Sequence, residues 1–145
     1  MVRERYSHDL WLQEVTDRRP VDLQGETVEA AFAVRYLPEG DDWSAEGIEL
    51  ILASGGSTML WNGTDWTLRI ADGGWPALPD WAWPPEAWVF EPIEDLGRPG
   101  LDDILEVSPV HNEVGELYGA VLGFRDGTLT VGSGDSMSWE LVRTD

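Results

Sequence analysis

The sequence contains no cysteine and no lysine, only two histidines, and no long apolar run. Each absence closes off a class of function. Without cysteine there is no disulfide, no thiolate zinc site and no cysteine nucleophile. No apolar stretch approaches the roughly 20 residues that a membrane-spanning helix needs, and Met1–Val15 lacks the apolar core of a secretory signal. The expected location is therefore cytoplasmic, with no membrane partner. His8 and His111 stand alone in polar surroundings. They supply neither a zinc or iron ligand set nor a base for a serine nucleophile. The absence of lysine, with all nine basic residues arginine, reads as a composition bias rather than a functional choice.

The short motifs are equally bare. Gly132-Ser133-Gly134-Asp135-Ser136 is glycine-rich. It nevertheless lacks both the five-residue nucleophile elbow, whose serine has a glycine two residues away on each side, and the lysine of a phosphate-binding loop, so it reads as a turn. Neither Asp41–Glu46 nor Asp102–Glu106 has the spaced oxygen ligands of a helix–loop–helix calcium site. Asn62-Gly63-Thr64 matches a glycosylation acceptor but reads as a hairpin turn. Among 28 acidic residues, some pair meets the carboxylate spacing of a glycosidase by accident. The expectation is a protein with no catalytic residue, no metal and no cofactor.

Charge of one sign dominates what is present. The formal net charge is -19. Residues 1–19 carry four arginines against four carboxylates, so the whole imbalance lies in residues 20–145. Such a surface repels nucleic acid, whose binding rests on cationic side chains displacing counterions. It likewise repels anionic membranes, and it favours a basic protein partner.

The chain is organised around two similar stretches. In the first, Ile48–Ala53, Thr58–Trp61 and Asp65–Ile70 read as strands joined by Ser54–Gly56 and Asn62–Gly63 turns. In the second, Ala120–Arg125, Thr128–Val131 and Met137–Val142 are joined by Asp126–Gly127 and Gly132–Asp135 turns. Asn-Gly and Asp-Gly are strong hairpin signals because they accept positive φ. Ile48, Leu50 and Leu52 fall on one strand face, as do Trp66, Leu68 and Ile70, and then Trp139 and Leu141. Period two is the signature of a half-buried strand.

Around these meanders, Ser7 starts a short N-terminal helix with Leu10, Trp11, Glu14 and Val15 at helical spacing; Leu10–Thr16 as a strand is the alternative. Val21–Tyr36 reads as a long leading strand with Val28, Ala30, Phe32, Val34 and Tyr36 on one face. Ile104–Val107 leads the second half and ends before Pro109, and Gly119 and Gly123 in the strand after it signal a bulge or a close backbone approach. Between the halves, residues 72–100 hold six of the nine prolines together with Trp75, Trp81, Trp83, Trp88 and Phe90. Proline keeps regular structure brief here. Exposing so many aromatic rings is costly, so this connector is expected to be ordered and packed on a sheet, closing an edge or a barrel mouth, with one helical turn over Pro85–Val89.

The resulting expectation is one all-β domain over residues 1–145, with the short N-terminal helix as its helical element. Pseudo-repeat halves at about 20–71 and 101–145 flank the connector 72–100. About eight strands form a sandwich or a small, partly open barrel. Two functional readings follow. One is a non-enzymatic module that binds a basic protein in the manner of an immunity protein or inhibitor, through Asp41, Asp42, Trp43 and Glu46 in the 37–47 loop and through Asp102 and Asp103. The other is an aromatic platform for a sugar or other small ligand, drawn from Trp43, Trp75, Trp81, Trp83 and Trp88.

Overall fold

The computed structural model describes residues 19–36, 45–63, 65–79, 82–134 and 137–144. The N-terminal helix expected from the sequence and residues 37–44 of the expected 37–47 loop lie outside the described residues. Among the described residues, nine strands form two antiparallel sheets. The first contains β1 (Val28–Tyr36), β2 (Gly47–Leu52), β3 (Ser57–Asn62), β4 (Leu68–Gly73) and β5 (Trp88–Pro92), in the order β4-β3-β2-β1-β5. The second contains β6 (Glu106–His111), β7 (Leu117–Phe124), β8 (Gly127–Gly132) and β9 (Ser138–Arg143), paired consecutively. The two sheets stay separate, so the architecture is a sandwich and not a closed barrel.

Alternation builds the core. Ile48, Leu50, Leu60 and Ile70 from the first sheet and Ala120, Leu122, Leu129 and Val131 from the second are all buried in one apolar cluster. These are the inward positions of strands whose neighbours point the other way. Leu23, Leu101 and Ile104 are fully buried in the same cluster. Two isolated bridges, Thr27 with Asp103 and Ala45 with Met137, tie the chain of one sheet to that of the other.

The long leading strand is shorter than expected. Pro20–Leu23 is a 3₁₀ turn, Gly25 has φ +94°, and strand pairing begins at Val28. A bulge then sets two residues of β1 against one of β2: Val28 pairs with Leu52 and Ala30 with Ile51. An extra residue swaps the faces beyond it. Val28 is in the core, but further along Ala31 and Ala33 take the inward positions. Phe32, Val34 and Tyr36 therefore lie on the opposite face, so the single apolar face expected for this strand is split.

Three further expectations are corrected. Pro109 does not end a strand but sits inside β6, opposite Ala120; β6 is an edge strand, where a missing N–H is tolerated. Asn62-Gly63 does not form a two-residue hairpin. The connection runs to Thr67, and the left-handed residue is Trp66, with φ 67°. Trp66 is thus 61% exposed in a turn, not inward beside Leu68 and Ile70. Asp126-Gly127 is displaced by one residue. Arg125 and Asp126 make the turn, and Gly127 begins β8, where a Cβ would stand 2.6 Å from the carbonyl oxygen of Val142.

The connector supplies the ninth strand. After a 3₁₀ turn at Pro85–Ala87, β5 pairs with β1 and covers that sheet edge. Its earlier part lies on the outer face of the first sheet, where Trp75 stacks on Phe32 at 4.4 Å and meets Phe90 edge-on at 4.7 Å.

Candidate functional site

The carboxylates Asp102 and Asp103 arrive where the second half of the chain returns against the start of the first sheet. Leu101 and Ile104 are drawn into the core, and the backbone between them locks onto β1 and the turn before it. The N–H of Val28 donates to the Asp102 carbonyl at 2.7 Å, and those of Gly25 and Ile104 close a matching pair at 2.8 and 2.9 Å. The Thr27 hydroxyl donates to Asp103 Oδ1 at 2.6 Å. This seam brings Asp102 and Asp103 against the Glu26–Val28 backbone, with Glu29 next along β1. Asp103 and Glu29 are exposed, and Glu26 and Asp102 are half-buried.

The arginines are engaged elsewhere. Arg19 pairs with Asp22, Arg35 with Glu91, Arg125 with Asp126, and both Arg98 and Arg143 with Asp95. Among the described residues, no arginine lies within ion-pair distance of Glu26, Glu29, Asp102 or Asp103. Four uncompensated carboxylates on one seam project a negative potential into solvent. Asp102 and Asp103 were readable from the sequence. Glu26 and Glu29 were not, because the link between Thr27 and Asp103 spans 76 residues.

The connector tryptophans have other positions. One ring face of Trp75 is spent on Phe32, and the residue is 37% exposed. Trp88 is half-buried and tilted against Tyr36, with centroids 5.1 Å apart. Trp83 stands out into solvent at 77% exposure. Glu46 is half-buried at the entrance to β2. Asp41, Asp42, Trp43 and Trp81 lie outside the described residues.

Beneath Trp75 lies a group that the sequence reading passed over. Glu49, on the outer face of β2, is 0% exposed. Its Oε2 accepts from the Ser57 hydroxyl at 2.5 Å and from the Trp75 backbone N–H at 3.1 Å, while Oε1 is buried with no partner. Burial raises its pKa above the ordinary glutamate value, and the bonds from Ser57 and Trp75 only partly oppose that shift. The available signal was a lone carboxylate between Ile48 and Leu50.

Among the described residues, no group of three or more histidines and carboxylates is placed to hold a metal ion, and no helix is long and apolar enough to cross a membrane. Comparison with protein-family models, with curated proteins and with solved structures found no match to this chain.

Proposed function

We propose that this protein is a non-enzymatic binding module, acting as inhibitors and immunity proteins do, and that it docks a basic protein through the seam of Glu26, Glu29, Asp102 and Asp103. The observation that carries this reading is the separation of charge. Five arginines are paired with carboxylates elsewhere, while the seam carboxylates have no cation within reach among the described residues. A cationic surface is attracted to such a seam by long-range steering and held by complementary pairs. Nucleic acid and anionic membranes are repelled by the same field. The alternative, an aromatic platform on the connector, finds less support because Trp75 presents one ring face to Phe32.

Affinity capture from a native lysate at low and at high salt tests the reading. A basic protein retained at low salt and released at high salt is the expected result, because screening shortens the reach of exposed charges. Capture of no basic protein, or capture that is indifferent to salt, contradicts it.

A further inference from the structure

The outer face of the second sheet carries a trench of about 430 Å³. Its floor is a pair of glycines, Gly119 of β7 and Gly132 of β8, directly opposite each other across the ladder. Tyr118, Thr130, Ser138 and Glu140 stand around it, with Val110 of β6 closing one side.

Two features indicate that the trench is built for an occupant. The first is the glycine at position 132. Gly119 is dictated by packing, since a Cβ there would stand 2.8 Å from the Val131 carbonyl oxygen. Gly132 has no such constraint. Its φ is not in the left-handed region, and a Cβ would meet only the Ser138 hydroxyl, at 3.1 Å, which is held by a single long bond of 3.5 Å to the Gly132 carbonyl. Glycine weakens a strand, and where the backbone does not need it, it marks a close approach by something else. The second feature is a bulge. Val110 pairs with Gly119, but His111 pairs with Leu117, so Tyr118 is the extra residue on β7. Leu117 packs toward the core, and the bulge sets Tyr118 beside Gly119 at the trench, 41% exposed. Bulges re-aim side chains in this way at functional sites.

The lining chemistry selects the ligand class. A floor without side chains and an aromatic wall suit a flat ring with an apolar face. Around that ring, the Tyr118 and Thr130 hydroxyls and the Glu140 carboxylate make no hydrogen bond within the described residues, so their bonding capacity is unspent. One carboxylate accepts from two neighbouring hydroxyls of the same ring. A phosphorylated or carboxylated ligand would meet Glu140 and a net charge of -19, and is repelled. We infer that this trench is a binding site for a neutral sugar ring. The inference stands apart from the acidic seam and does not depend on it.

Amide-resolved NMR titration of the full chain tests it, with cellohexaose, laminarihexaose, xylohexaose and chitohexaose as probes at millimolar concentration. The expected result is saturable shifts at Gly119, Thr130, Gly132 and Glu140 with at least one probe. Glu140→Gln should weaken that binding by about tenfold, the scale of a lost hydrogen bond to a charged group. Gly132→Val should abolish it with the melting temperature little changed, and Gly132→Ala should weaken it, which guards against misfolding of the larger variant. No shift with any of the four sugars overturns the inference, as do shifts that survive in Gly132→Val. Shifts at these amides produced by an oligoarginine peptide but by none of the sugars also overturn it, and assign the trench to the basic partner.

Discussion

The backbone N–H of Trp75 donates to the buried carboxyl of Glu49, 26 residues earlier in the chain, and this bond pins the aromatic connector to the centre of the first sheet. Ser57 shares the same oxygen, and the stack of Trp75 on Phe32 shields the group from water. A carboxylate in such a place favours its protonated form, because burial penalises the charge. The folded-state pKa therefore lies above the unfolded value. The stability that Glu49 contributes is complete below the ordinary glutamate range and is lost as pH rises through the raised value.

The first prediction follows from that sign. The wild-type urea midpoint should decline as pH rises above the ordinary glutamate pKa, and Glu49→Gln, which cannot titrate, should lack that component. At neutral to mildly alkaline pH, Glu49→Gln should be the more stable protein, because it has no buried charge to accommodate. Parallel pH profiles for the two proteins would contradict this account of Glu49.

Trp66 offers a second test. It holds φ 67° while 61% exposed, with its carbonyl accepting from the Ser133 hydroxyl at 2.7 Å. A left-handed conformation costs a non-glycine residue about 1 kcal/mol or more, and little burial offsets it here. Trp66→Gly should therefore raise stability by about 1 kcal/mol, less the entropy that glycine adds to the unfolded chain. Chemical denaturation measures it, and a clear loss of stability would show that the indole makes a contact worth more than the backbone strain.

A third test separates structural from exposed tryptophans. Trp75→Ala removes contacts with Phe32 and Phe90 and should cost about 2 kcal/mol, below the range for a fully buried ring because Trp75 is 37% exposed. Trp83→Ala, at 77% exposure, should change stability by less than about 0.5 kcal/mol. Equal effects would mean that the connector is not held by the Trp75 stack.

The all-β class and both meanders were legible because turn residues and period-two alternation are local signals. Ile48, Leu50 and Leu52 face the core as their spacing implies, and the irregularity signalled by Gly119 is the bulge at Tyr118. What escaped was non-local or silent in composition. The β1 bulge falls at Glu29, among small residues that leave no mark on the pattern. β5 follows Pro84 and Pro85 and ends on Pro92, prolines that argue against a strand, yet it pairs as an edge on β1. Glu49 looks like an ordinary solvent-side residue until Trp75 is placed over it. The seam shows the same division: Asp102 and Asp103 stood out as adjacent carboxylates, but only folding brings Glu26 and Glu29 to them.

The most direct test of the docking seam is the affinity of the captured basic partner for a variant carrying Glu26→Gln, Glu29→Gln, Asp102→Asn and Asp103→Asn, measured by calorimetry at low salt. These substitutions keep hydrogen-bond acceptors at all four positions, including the one that Thr27 uses on Asp103, so the fold should persist. The account predicts affinity at least about tenfold weaker and a shallower salt dependence, as expected when charges that complement a partner are removed. Unchanged affinity and an unchanged salt slope in a folded variant would contradict it.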